Sequence, residues 1–171
     1  MRKNLKLIIA LIIVIVLGSL IYINRPIYGN TPENRVKILN QNKKGISVIS
    51  ETKTDDFILC EIKDQNNNYG FAVFVPSEKG NYEFQTKILR GEDQISTLLV
   101  NVNNNLFEVS ICNKPNLDYA EINYYNTSDL SLISSEKIKV IDGKYAYTKV
   151  PDIKEYNREI VFFDIDGNKY E

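Results

Sequence analysis

The sequence predicts a mainly β protein carried behind an N-terminal transmembrane helix. A short second helix, an antiparallel β meander and a β-sandwich C-terminal half with immunoglobulin-like strand spacing follow it. Three observations carry that expectation. Leu7 to Ile23 runs LIIALIIVIVLGSLIYI without a charge. From Ile46 onward apolar residues recur with period two, the signature of half-buried strands. Clusters of Asn, Asp, Gly and Pro interrupt that pattern at short intervals, as turns do. The chain divides accordingly into a cytoplasmic head (1–6), a signal anchor (7–23), a juxtamembrane link (24–30), a short helix plus meander (31–91) and a β-sandwich-like domain (92–171).

Thirteen of the seventeen residues from Leu7 to Ile23 are Leu, Ile or Val. On an insertion scale they favour the bilayer by roughly 4–8 kcal/mol in total. As a helix the run is about 26 Å long, within the range that spans a hydrocarbon core of about 30 Å. Arg2, Lys3 and Lys6 precede it without an acid, so the positive-inside rule puts the N-terminus in the cytoplasm and residues 24–171 outside the cell membrane. The rival reading is a cleaved signal peptide. The apolar run is longer than a usual h-region and no A-x-A site follows it, which favours retention as an anchor. The lipid bilayer is thus the first expected partner.

After a link containing Pro26 and Gly29, Thr31-Pro32-Glu33 reads as an N-cap, a proline at the first helical position and an acid at the positive helix end. Val36 and Leu39 form one apolar stripe, and Lys43-Lys44-Gly45 stop a helix of about Pro32 to Gln41. Ile46–Thr52 and Phe57–Lys63 are strands joined at Thr54-Asp55-Asp56, and Asp64–Asn68 (DQNNN) is a turn. Tyr69–Val75 is apolar on both faces and therefore central in a sheet. Tyr82, Phe84, Thr86 and Ile88 share one face of the next strand, and Arg90–Gln94 is a polar break at the expected boundary. Ile95–Val102 and Leu106–Cys112 flank a turn at Asn103-Asn104-Asn105, and Asp118–Tyr125 sets Ala120, Ile122 and Tyr124 on one face. Leu132–Ile141 and Lys144–Val150 flank Asp142-Gly143, the strongest hairpin signal in the chain. Glu159–Ile165, a turn at Asp166-Gly167 and a short Lys169-Tyr170 strand complete the pattern.

Three segments, TPENRVK, YGFAVF…GNYEF and FEVSICNKPNLDYAEI, carry a resemblance to small, uncharacterised single-span envelope proteins of low-GC Gram-positive bacteria. It covers most of residues 31–125. The resemblance implies a membrane-anchored chain with a helix, a hairpin of YG-A-type strands and a small β domain, and it brings no catalytic residue with it. Members of that group commonly carry a tryptophan after the second hairpin, and this chain has none.

The chain also has no histidine, which removes His-based triads, the usual transition-metal sites and a simple pH switch near neutrality. Behind Asn24 stand 18 bases against 22 acids, with no basic cluster interleaved with aromatic residues, so nucleic acid is not an expected partner. In Asp164–Asn168 (DIDGN) the glycine comes fourth, not sixth as a calcium loop requires, so the segment reads as a tight turn. Ser134 and Lys137 have S-x-x-K spacing but sit in a predicted strand without partner motifs. Asp55-Asp56 and Glu92-Asp93 are paired acids in turns, where solvated carboxylates are the default. No catalytic, metal or cofactor-binding residue is assigned, and no cofactor is expected. Cys60 shares parity with Ile58 and Ile62, whereas Cys112 falls with Glu108 and Ser110, away from Phe107, Val109 and Ile111; two free thiols are favoured over a disulfide. The remaining candidates for ligand contact are tyrosines. Tyr119 and Tyr125 lie opposite Ala120, Ile122 and Tyr124, and Tyr145 and Tyr147 share parity with Lys149. Exposed rings flanked by polar groups suit sugars and peptides.

These features point to a membrane-anchored extracytoplasmic binding or accessory module of the bacterial cell envelope, contacting an envelope protein or a cell-wall component. Two alternatives stand beside it. One is a carboxylate-dependent envelope hydrolase, which needs two acids converging in a cleft. The other is a structural subunit of a membrane complex, making its contact through the span at Gly18-Ser19.

Overall fold

A computed structural model describes residues 2–23, 25–41, 44–90, 95–152 and 155–171, with the backbone alone for residues 2–10 and 23. The apolar run is helical: α1 spans Arg2–Ile23. Its described side chains, Leu11 to Tyr22, stand exposed, and the Ser19 hydroxyl donates to the Ile15 carbonyl at 2.8 Å within the helix. Among the described residues no helix is long and apolar enough to cross a membrane. The start of the expected span, residues 7–10, and the head before it lie outside the residues whose side chains are described.

The second helix, α2 (Pro32–Leu39), begins as its sequence dictates: the Thr31 hydroxyl accepts from the Asn34 amide at 3.3 Å. Asn40 ends it. Its side-chain amide donates to the Val36 carbonyl at 2.9 Å and the Ile46 carbonyl at 2.8 Å, while its carbonyl accepts from the Ile46 amide at 2.9 Å. One residue thus satisfies the helix C-terminus and fixes where the first strand starts. Part of the expected lysine stop, Lys43, and most of the expected boundary at Arg90–Gln94 lie outside the described residues.

The rest is mainly β, in three antiparallel sheets. The meander sheet holds β1 (Ser47–Lys53), β2 (Ile58–Lys63), β3 (Tyr69–Pro76) and β4 (Tyr82–Arg90) in sequence order. The middle sheet holds β5 (Ser96–Val102), β6 (Asn105–Ile111) and β9 (Tyr145–Lys149). The outer sheet has the order β11 (Lys169–Tyr170), β10 (Tyr156–Asp164), β7 (Leu117–Asn126) and β8 (Leu132–Lys139).

Side-chain parity stacks these into layers. Phe57, Leu59, Phe71 and Val73 of the meander pack on Val100, Val102, Phe107, Val109, Ile111 and Tyr145 of the middle sheet. The meander's other face, with Ile58, Cys60, Ile62, Ala72 and Phe74, is covered by Leu39 of α2 and by Ile46. The middle sheet's second face presents Cys112 and Ala146 to Ala120 and Phe162 of the outer sheet. The largest core is therefore shared by residues on both sides of position 91.

Two sequence expectations are corrected by this arrangement. The Asp142-Gly143 turn forms, with positive φ at both residues and reciprocal bonds between Ile141 and Tyr145, but the strands beside it are not partners. β8 pairs with β7 and β9 pairs with β6, so the turn carries the chain from the outer sheet to the middle one. In β4, Thr86 pairs with Val73 and Phe84 with Phe74, leaving Gln85 as a bulge. Ile88 faces the middle sheet, but beyond the bulge Tyr82 packs in the α2-side cluster and Phe84 lies edge-on to Phe74, 5.7 Å between centroids. Further along the same pair, where Gly70 faces Leu89, the strands approach closely: a Cβ on Gly70 would lie 1.9 Å from the Ile88 carbonyl oxygen, so only glycine fits.

Candidate functional site

Each inter-sheet core ends in a buried carboxylate. On β2 the parity that points Phe57 and Leu59 at the middle sheet also points Glu61 there, where it is 5% exposed. The Ser50 hydroxyl and the Lys144 ammonium both donate to Glu61 Oε2 at 2.7 Å. Lys144 reaches it because the Asp142-Gly143 turn projects it back over the meander, and the Thr52 hydroxyl holds that turn by donating to Asp142 Oδ2 at 2.5 Å. The Tyr145 hydroxyl lies buried at the same end, without a hydrogen-bond partner among the described residues; burial and the Glu61 charge push its pKa up.

Outside this knot opens a groove of about 360 Å³ lined by Glu61, Tyr69, Asn113, Lys114, Gly143 and Lys144. The Lys63 ammonium stands over the Tyr69 ring, 4.7 Å from its centroid, so a third cation flanks the aromatic wall. Lys144 neutralises Glu61, and Lys114 places a second ammonium group on the wall. Among the described residues its walls hold no thiol and no hydroxyl nucleophile other than the Tyr69 phenol. Among the described residues no group of His, Cys, Asp or Glu is placed to hold a metal ion. The described walls thus combine a lysine-bonded carboxylate, a second ammonium group and an aromatic ring.

The second buried acid, Glu108, points from β6 toward the outer sheet and is wholly buried. Arg158 Nε stands 3.3 Å from Glu108 Oε1, and the Tyr124 hydroxyl donates weakly to Oε2 at 3.4 Å. Oε1 has no aligned donor among the described residues. Burial pushes the Glu108 carboxyl above the usual range, against the pull of Arg158 and then Tyr124.

The chain matches no protein family, no curated protein and no solved structure.

The tyrosines expected to contact ligand fall in two places, the largest core and the outward face of the outer sheet. Tyr145 is buried in the largest core, edge-on to Phe71 at 6.5 Å. Tyr147 is half-buried and packs on Phe57 at 4.8 Å. Tyr119 and Tyr125 lie on the outward face of the outer sheet. The Tyr119 ring stacks on Phe163 at 4.6 Å and 10°, with the Lys137 ammonium 3.4 Å from its centroid, and the Tyr125 hydroxyl donates to Glu159 at 3.1 Å. The structure brings none of the four into the lysine-flanked groove. Glu61, Lys144 and Tyr69 went unremarked in the sequence because 83 positions separate the ion pair, and no local motif spans that distance.

Both thiols are free and buried. Cys60 faces α2, while Cys112 belongs to the cluster between the middle and outer sheets, so they occupy different layers. Burial, followed by the nearby Glu51 charge, pushes the Cys60 thiol up to about 12. In DIDGN, Asp164 Oδ1 accepts from the amides of Asp166 at 3.0 Å and Asn168 at 2.8 Å, and Oδ2 accepts from the Asn168 side chain at 2.8 Å. The DQNNN turn repeats the device, Asp64 Oδ1 accepting from the amides of Asn66 at 2.9 Å and Asn68 at 3.0 Å. These carboxylates close turns.

Proposed function

We propose that the protein is a non-enzymatic binding module of the bacterial cell envelope, held by a single uncleaved N-terminal span with residues 24–171 on the extracytoplasmic side. Its ligand contact is the groove at Glu61, Tyr69, Lys114 and Lys144, and the ligand is an anionic group of an envelope protein or a wall component. Anchorage and envelope location rest on the charge-free run, the basic head and the resemblance of residues 31–125. Two facing sheets from residues 96–170 support the β-sandwich reading of the C-terminal half. The groove carries the binding reading: two ammonium groups and an aromatic ring surround a carboxylate already bonded to lysine and serine. With Glu61 the one acid among the described residues of its walls, that groove favours binding over hydrolysis by a carboxylate pair.

The full chain in lipid nanodiscs, titrated with a polyol-phosphate polymer and with an acidic peptide, tests this. Saturable binding of one probe, weakened by salt and about tenfold by Lys114→Glu, is the expected result. Binding of neither probe, or binding indifferent to Lys114→Glu, overturns it.

A further inference from the structure

The link between α1 and the β layers is bonded to the meander sheet. Gly29 donates its amide to the Tyr82 carbonyl at 2.6 Å, and its own carbonyl accepts from Arg35 Nη1 at 2.5 Å. Asn30 accepts from the Tyr82 amide and donates to Asn81 Oδ1, both at 2.8 Å. Arg35 is in turn clamped by two bonds to Glu51, from Nε at 2.8 Å and Nη2 at 2.5 Å. Gly29 is fixed tightly, since a Cβ there would meet the Phe74 ring at 2.5 Å. From the end of α1 to this clamp the chain has about six peptide steps, at most ~20 Å when extended. It is shorter here: the Arg25 amide donates to the Tyr22 carbonyl at 3.4 Å, and Tyr22 lines a groove with Asn34 and Lys37 of α2.

The face beside this clamp leaves apolar side chains partly exposed. Ile27 is 42% exposed and Phe84 40%, and together with Ile38 and Tyr28 they line a groove of about 570 Å³, with Arg25 and Glu83 on its rim. The bulge at Gln85 is what turns Phe84 to this side. Apolar side chains, tyrosines and a basic residue within a few residues of an apolar helix are the composition of a membrane interface.

We infer that this face, carrying Ile27 and Phe84, rests on the outer surface of the bilayer beside the span, so that the lipid surface is its occupant. The inference rests on the anchored reading above. Chain length and the Gly29 clamp hold the face against the helix end, and a spanning helix brings that end to the headgroups. The lysine-flanked groove, built on the other face of the meander, is left free for ligand.

Because the chain has no tryptophan, single substitutions give clean probes. Phe84→Trp and Ile27→Trp are compared with Leu17→Trp in α1 and Leu130→Trp in the β7–β8 loop, each in the full chain in nanodiscs of phosphatidylglycerol and phosphatidylcholine, with and without brominated acyl chains. The expected result is at least twofold quenching by brominated lipid at positions 17, 27 and 84, and none at 130. Quenching at 17 but not at 27 or 84 overturns this inference and leaves the anchor standing. No quenching at 17 overturns the anchored reading, and this inference with it. Equal quenching at 130 also overturns it, since the contact is then not confined to this face.

Discussion

Replacing Glu108 by glutamine should stabilise the protein at neutral pH. The carboxylate is wholly buried, one oxygen has no aligned donor among the described residues, and its best partner, Arg158, is 3.3 Å away with a side chain about a third exposed. A pair so open on one side returns about 0–1 kcal/mol, while a buried polar atom left unsatisfied costs about 1–3 kcal/mol. The amide keeps the shape and sheds the charge, so a net gain of about 1 kcal/mol is expected near pH 7.5. For a chain of this length that raises Tm by about 2–4 °C. The pH dependence gives the sharper test. Burial raises the folded-state pKa of Glu108 above the unfolded value of about 4.3, so the folded protein holds this proton more tightly. The stabilising contribution is complete below the unfolded pKa and fades as pH rises through the folded one. The gap between variant and parent should therefore open from about pH 4 upward and level off above the folded pKa. Thermal melts of the full chain in detergent, followed by circular dichroism at half-unit pH steps, measure that gap. A variant less stable than the parent at pH 7.5, or a gap that widens toward acid, refutes the reasoning.

Gly70→Ala forces a methyl against the Ile88 carbonyl and should cost about 1–3 kcal/mol, read as a lower Tm in the same melts. Arg35→Gln leaves Glu51 and the Gly29 carbonyl without their cation. Because Glu51 is partly exposed, about 2–3 kcal/mol is expected, less than a fully buried pair would lose, and hydrogen exchange should quicken at the Gly29 and Tyr82 amides before it does in β6. Both cysteines should resist a thiol reagent at pH 8 until the chain is unfolded, and oxidation should give no internal crosslink, visible as unchanged mobility on a non-reducing gel.

Local signals in the chain translated well into local structure. Thr31-Pro32 caps α2, the Asn103-Asn104 turn joins β5 to β6, and strand edges fall within a few residues of the period-two runs. What parity cannot say is whether a second layer covers a face. Glu108, Ser110 and Cys112 have the composition of an outer face, yet all three are buried because β7 and β10 fold over them. Nor does turn chemistry name the partner strand: Asp142-Gly143 makes its tight turn whether the next strand returns to β8 or, as here, moves to β6. A single bulged residue, Gln85, reverses the facing of Phe84 without any mark in the alternation. The candidate groove was hidden for the same reason, since it assembles from β2, β3, the loop after β6 and the turn before β9.

The delayed placement of β9 has a consequence for biogenesis. β6 acquires its second neighbour only when residues 145–149 arrive, after β7 and β8 have been synthesised and sent to another sheet. Until then Phe107, Val109 and Ile111 lack Tyr145 beside them, and β6 presents an unpaired edge. A chain interrupted before residue 145 thus displays a sticky half-built sheet, whereas one that passes Lys149 can close its central layer at once. Quality-control proteases would find their clearest window between those two lengths.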